Sequence, residues 1–193
     1  MRKLDLICLI LSDKEKLMTL DWDIYILEFI SKNLRDEWSD GFMTIVTKLG
    51  NIGFIWIAIG LVLFFVKKNR GIGIEIISAV VLCAVIGSLV LKPIVARPRP
   101  FNINQDVKLL IPEPDDFSFP SGHTMSSFAA ATVIFSHSKK AGVLAIAFSS
   151  LMGYSRLYHY VHYPTDVFAG VVLGVLIGNI VFKLFAKPKR KNI

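Results

Sequence analysis

Two stretches of this sequence leave little choice of fold. "LGNIGFIWIAIGLVLFFV" (49–66) and "IGIEIISAVVLCAVIGSLVL" (72–91) are near bilayer length, and Glu75 is their lone charged side chain. A helix needs roughly 20 mainly apolar residues to cross the hydrocarbon core. "AGVLAIAFSSLMGY" (141–154) and "VFAGVVLGVLIGNIVF" (167–182) are further candidates, each extendable by a few residues. "HTMSSFAAATVIF" (123–135) is weak by hydropathy, but its neighbours need a crossing between them. The expected architecture is therefore all-α, a polytopic membrane bundle of five transmembrane helices. Composition agrees: 53% of the 193 residues are hydrophobic and the mean hydropathy is +0.56, against about 45–50% apolar residues in an average soluble domain.

Residues 21–43, "DWDIYILEFISKNLRDEWSDGFM", place Ile26, Leu27, Ile30, Leu34 and Trp38 at helical spacing but also carry Glu28, Lys32, Arg35, Asp36 and Glu37. They are read as an N-terminal amphipathic helix lying in the interface, with a tilted sixth span as the alternative. The chain thus divides into an N-terminal segment (1–43), a membrane-embedded domain (44–186) and a basic tail (187–193). Either Met1 or Met18 could be the start. Cys8 and Cys83 both lie in apolar sequence and make neither a disulfide framework nor a metal site.

The net charge of +7 would suit nucleic acid if it lay along one polar stripe. Instead it is divided among Lys67, Lys68 and Arg70, then Lys139 and Lys140, then Lys187, Lys189, Arg190 and Lys191, between or after the apolar runs. With five spans these clusters share one side, which the positive-inside rule makes cytoplasmic. Residues 92–122 and 155–166 then lie on the opposite, extracytoplasmic side.

That side gathers the unusual polar residues. "LKPIVARPRPF" supplies Lys92, Arg97 and Arg99, and Pro93 interrupts the helix so that these cations sit at its mouth. "PSGH" supplies Ser121, Gly122 and His123, and "YSRLYHYVHYPTD" supplies Arg156, His159, His162 and Asp166. Singly, Lys92 and Arg97 read as snorkelling interface anchors, and the tyrosines 154, 158, 160 and 163 as an aromatic belt. His137, in the basic loop on the other side, reads as solvated. Together, the extracytoplasmic set is an anion site. Zinc on His123, His159, His162 and Asp166 suits the residue types, but Lys92, Arg99 and Arg156 would repel the ion. A phosphate satisfies the cations, and the helix opened by Ser121 and Gly122 offers free N–H groups to it.

Lys92-x6-Arg99-Pro100, Pro120-Ser121-Gly122-His123 and Ser155-Arg156-x5-His162-x3-Asp166 resemble, in order, the three signature motifs of the type 2 phosphatidic acid phosphatase superfamily. That family includes membrane lipid phosphatases and vanadium haloperoxidases. The resemblance covers residues 92–166, and the departure is at the N-terminus, where many membrane members have six spans. It implies His162 as nucleophile and His123 as general acid, with Lys92, Arg99, Ser121, Gly122 and Arg156 holding the phosphate. It also implies no metal or other cofactor. Asp166, four residues beyond His162 and just past Pro164, would lie one helical turn away and fix the imidazole tautomer. His159 lacks a carboxylate at that spacing.

The expected function is that of a multi-pass enzyme of a bacterial plasma membrane, with its site on the outer face. It would remove phosphate from a lipid phosphate or diphosphate, undecaprenyl diphosphate first among the family's substrates. Phosphatidic acid and phosphatidylglycerol phosphate are the alternatives. The loop 102–119 overlies the site, and its Asp106, Glu113, Asp115 and Asp116 disfavour a large acidic headgroup. A vanadate-dependent haloperoxidase and a non-catalytic lipid-phosphate binder are the rival readings. Five spans argue against the first, because halide oxidation needs no lipid site, and the paired histidines with Asp166 argue against the second. The partners implied are the lipid and the membrane, with no nucleic acid.

Overall fold

A computed structural model of the chain describes residues 20–186. The basic tail at 187–193, the apolar stretch around Cys8, and Met18 lie outside these residues. Those described form helices and turns, and no strand. In chain order the helices are α1 (Asp21–Asn33), α2 (Glu37–Leu49), α3 (Phe54–Phe65), α4 (Arg70–Cys83), α5 (Lys92–Val95), α6 (Pro100–Ile103), α7 (Gly122–His137), α8 (Lys139–Tyr158) and α9 (Pro164–Phe185). A π-helical stretch, Ala84–Leu91, joins α4 to α5.

The amphipathic helix expected over 21–43 is two helices. Asp36 accepts the N–H groups of Trp38 and Ser39, and the Ser39 hydroxyl accepts from the Asp36 N–H. This reciprocal capping box starts α2 afresh. The boundary expected between residues 43 and 44 falls inside α2.

Four of the five expected spans fall on continuous helix, whereas the first, 49–66, straddles a bend, with its α-helix confined to Leu49 and Phe54–Phe65. By length and apolarity, the segment Lys67–Ile103 and α9 each suffice to cross a bilayer, and α2 with α3 suffice together. That last pair is bent by 51°. The bend is made at Asn51–Gly53, where Ile52 and Gly53 adopt left-handed φ of 54° and 70°. Helices α7 and α8 fall short of the same criterion, so their place in the bundle comes from packing rather than hydropathy.

Helix α7 is the centre. It packs against α9, α8 and α4, and Met125, Ala129, Ala130, Ala131 and Val133 are fully buried among Ile76, Ala79 and Ile177. Its weak apolarity is explained here: its many small residues meet protein rather than lipid. Helix α9 meets it through Gly170, Gly174 and Gly178, spaced one turn apart on a single face. A Cβ on Gly178 would lie 2.6 Å from the Ala129 carbonyl oxygen, and one on Gly174 would press on that of Met125. In lipid, such backbone approach replaces the hydrophobic drive that water gives a soluble core.

At the end of the bundle carrying the 67–70 and 139–140 clusters, Glu75 Oε2 lies 2.8 Å from His137 Nε2. His137 is therefore paired with a helix α4 carboxylate rather than merely solvated. At the opposite end, the α2–α3 bend, the α5–α6 segment, the start of α7 and the α8–α9 turn come together.

Because Gly174 touches α7 backbone, Gly174→Ala is expected to cost about 1–3 kcal/mol. Gly41, whose Cβ position is open, should gain about 0.4–1 kcal/mol as Gly41→Ala. Thermal unfolding of the two variants in one detergent measures both, and equal midpoints would contradict the packing account.

Candidate active site

The converging segments enclose a cavity of about 600 Å³, lined by Lys92, Arg99, Asp116, His123, Arg156 and His162 among others. One wall is apolar, from Ile52, Val80, Cys83 and Ala84. Three motifs far apart in sequence thus face one space.

Pro93 has no N–H to give the carbonyl four residues earlier, and the helix is π-wound up to Leu91 before its last turn, Lys92–Val95. Ala96 then takes a left-handed φ of 50°, which ends the helix. This break sends Arg97 and Arg99 in different directions. Arg99 lines the cavity and donates from Nε to the Asp116 carbonyl (2.7 Å) and from Nη1 to the Val161 carbonyl (2.6 Å). Its Nη2 and the Lys92 ammonium each pair with a different oxygen of the Asp116 carboxylate. Burial raises the Asp116 carboxyl, but the bonds and charges of Lys92 and Arg99 outweigh it and hold the group at about 2. Asp116 is therefore an anion at any physiological pH, bound by two of the three cations expected to bind phosphate. The sequence reading placed it only in a loop that disfavours acidic headgroups; its adjacency to Lys92 and Arg99 is a tertiary fact.

Arg156, from the last turn of α8, is 3% exposed and donates from Nη1 to the Thr47 hydroxyl. Its Nε has no hydrogen-bond partner among the described residues. Gly122 opens α7 and borders the cavity, with nothing within 4 Å of where a Cβ would stand. The Ser121 hydroxyl does not line the cavity: it is buried and lies 2.9 Å from the Thr124 hydroxyl. The phosphate contact expected of Ser121 is thus not prepared in this arrangement, because the side chain turns into the first turn of its own helix.

His123 Nε2 lies 3.0 Å from Asn51 Oδ1. The α2–α3 bend brings Asn51 there, and no spacing in the sequence signals that pairing. His162, in the turn between α8 and α9, has Nε2 3.4 Å from Arg99 Nη1 and Nδ1 3.5 Å from Asp166 Oδ2. Burial first, then the charges of Arg99, Arg156 and Lys92, push its imidazole well below the ordinary range, so it is neutral at pH 7. His159 is directed elsewhere. Its Nδ1 lies 2.6 Å from the Ser155 carbonyl and its Nε2 3.3 Å from the Thr44 hydroxyl, and it does not line the cavity. Among the described residues no three His, Cys, Asp or Glu side chains are grouped to hold a metal, and the four residues weighed for zinc do not converge.

Asp166 is fully buried behind His162 and does not reach the cavity. Its Oδ2 accepts from the Ser118 hydroxyl (2.5 Å) and the Tyr163 N–H (2.9 Å), and its Oδ1 from Arg97 Nη1 (2.5 Å).

Residues 73–190 match the sequence model of the PAP2 superfamily. The chain is a member of the PAP2 superfamily. It is 38% identical over 136 residues to an undecaprenyl-diphosphatase of Sulfolobus acidocaldarius, an alignment spanning 70% of this chain and 65% of that protein. The chain therefore matches just under two thirds of that relative's length. Its structure resembles the crystal structure of Aquifex aeolicus LpxE with a TM-score of 0.75 at 31% identity, covering 86% of this chain and 98% of that one. It also resembles a transmembrane PAP2 type phosphatidylglycerolphosphate phosphatase from Bacillus subtilis, with a TM-score of 0.74 at 27% identity over all of both chains. The PAP2 match holds all three motifs, whereas α1, α2 and α3 precede it.

Asp116 takes up donors of Lys92 and Arg99 that a tetrahedral oxyanion would use. Removing its charge as Asp116→Asn should tighten binding of orthovanadate roughly threefold or more, from the Coulomb term alone. Calorimetric titration in detergent measures it. Weaker binding would mean that the carboxylate serves to hold the two cations in place.

Proposed function

We propose that this protein is an integral membrane phosphatase that hydrolyses a lipid phosphate or diphosphate through a phosphohistidine. The observation that carries the reading is the placement of His162. Its Nε2 faces a cation-lined cavity, and its Nδ1 is turned toward Asp166. That nitrogen makes no hydrogen bond among the described residues, so the Asp166 carboxylate is its nearest counter-charge, and a neutral imidazole set in this way is a competent nucleophile.

In the proposed reaction Lys92, Arg99 and Arg156 hold the phosphoryl oxygens, with the free N–H groups at the start of α7. His162 Nε2 attacks phosphorus, and the bond to the leaving oxygen breaks as His123, protonated against the bound phosphate, gives that oxygen its proton. Asp166 balances the cation formed on His162. A water molecule, deprotonated by His123, then attacks phosphorus, releasing phosphate and restoring neutral His162. Phosphoryl transfer asks a protein mainly for positioning and charge stabilisation, and the fixed cations supply both. Activity should therefore survive a chelator.

The substrate favoured is undecaprenyl diphosphate, whose terminal phosphate would be released while undecaprenyl phosphate leaves. The similarity to the Sulfolobus undecaprenyl-diphosphatase supports this choice. Phosphatidylglycerol phosphate is the second reading, favoured by the full-length likeness to the Bacillus subtilis phosphatase. The apolar wall of the cavity suits a phosphate attached to a lipid tail. The basic clusters at the other end of the bundle favour an extracytoplasmic site by the positive-inside rule, in the plasma membrane of a bacterium.

Phosphate release by the purified protein from undecaprenyl diphosphate, phosphatidylglycerol phosphate and phosphatidic acid, in one detergent, tests the substrate order. Turnover of the diphosphate at least tenfold slower than of either glycerolipid would reverse it. His162→Ala should reduce turnover on the order of 10⁴–10⁶-fold and Arg156→Ala roughly 10²–10³-fold. His123→Ala should hurt least on an aryl phosphate, whose leaving group needs no proton. Near-normal turnover by His162→Ala would end the mechanism.

A cysteine introduced at Asn104 should react with an impermeant thiol reagent in intact cells while one at Lys139 stays silent. The reverse pattern would invert the assigned topology.

A further inference from the structure

Arg97 is a buried cation that the reaction above does not use. Its side chain is 6% exposed and absent from the cavity lining. Nη1 donates to Asp166 Oδ1 (2.5 Å) and to the Thr165 hydroxyl (2.7 Å), and Nη2 donates to Asp23 Oδ2 (2.9 Å). The guanidinium lies 3.9 Å from the centre of the Tyr163 ring. Asp23 stands on α1 and is fully buried. It also accepts the Thr165 backbone N–H (3.0 Å) and the Thr165 hydroxyl (2.7 Å), so it satisfies a donor that the first turn of α9 leaves without an intrahelical partner.

The charges have a consequence for His162. An arginine alone against Asp166 would cancel the carboxylate that faces the imidazole. With Asp23 on its other side, the trio of two carboxylates and one guanidinium keeps one net negative charge. Arg97 also engages the Asp166 oxygen remote from His162, leaving Oδ2 as the nearer one. We propose that Asp23, acting through Arg97, is a positioning residue that preserves a net negative charge behind the His162 imidazole. The inference rests on the proposed role of His162 as nucleophile. Neither Asp23 nor its helix lies within the residues matched to the family.

The other groups facing His162 are Lys92 and Arg99 from α5 and the chain after it, Arg156 of α8, His123 of α7 and Asp116 of the 104–121 loop. Substitution at Asp23 or Arg97 removes none of these charges, so shifts of opposite sign in His162 report the trio. Asp23→Asn keeps the size and an acceptor for Thr165 but removes a negative charge. The imidazolium is then less favoured, and the His162 titration should fall by about one pH unit. Arg97→Gln removes a positive charge and should move it upward by a similar amount. The double variant should return near the wild-type value.

The titration is read by imidazole NMR on the full protein in detergent, and independently as the acid limb of kcat/KM for phosphate release. Asp23→Asn should also lower kcat roughly tenfold while KM stays within about twofold, since the charge acts on the phosphohistidine more than on bound substrate. Loosened packing would not give shifts of opposite sign in the two single variants. Shifts of the same sign, or none by NMR, would overturn the assignment of Asp23. The NMR result stands whether or not the wild-type protein turns over lipid, so failure of the proposed reaction and failure of this inference are distinguishable.

Discussion

Four cations, Lys92, Arg97, Arg99 and Arg156, are each no more than 5% exposed at one end of this bundle. Burying a cation without a partner costs several kcal/mol, and the arrangement of counter-charges explains much of the local structure. Asp116 answers Lys92 and Arg99, which ties the long loop before α7 across the cavity. Asp23 and Asp166 answer Arg97, which ties α1 to the start of α9. Arg156 has a threonine hydroxyl and no carboxylate within ion-pair distance among the described residues. Its charge is the least compensated of the four, and it lines the cavity. An anionic ligand would meet its strongest uncancelled field there.

The rest of the bundle makes this end possible. Glycines let α9 approach α7 at backbone distance, which sets the register between the helix beginning at Gly122 and the one beginning at Pro164. The Ser121 N–H donates to the Asp166 carbonyl at 3.2 Å, joining the two helix starts directly. On the other side, the π-helical segment and the α2–α3 bend interrupt regular helix on either flank of the cavity. Such irregular backbone is tolerated at membrane depth where it lines a cavity.

The sequence disclosed the helical class, the apolar helices and most of the residues that face the cavity, because apolar run length and motif order are local signals. Lys92, Arg99, Gly122, His123, Arg156 and His162, which the motif resemblance brought forward, line one cavity. The partners of those residues were hidden. Asp116 was one of four acids in a loop, Asn51 was one polar residue in an apolar run, and Thr47 lay between the expected amphipathic helix and the first apolar run. Arg97 read as an interface anchor because a snorkelling arginine and a buried one look alike until a carboxylate is placed beside them. The break in the amphipathic segment could have been found: Asp36 followed three residues later by Ser39 resembles a capping box with serine in place of the usual glutamate.

The place of Asp23 in the chain bears on how this protein can be taken apart. A fragment beginning at residue 44 would keep all three motifs, every side chain named in the proposed reaction and all five long apolar runs. It would still leave Arg97 facing Asp166 with nothing to offset it. The helix that looks dispensable, being half exposed and outside the shared motifs, is the one whose removal would leave the cavity complete in sequence and altered in charge.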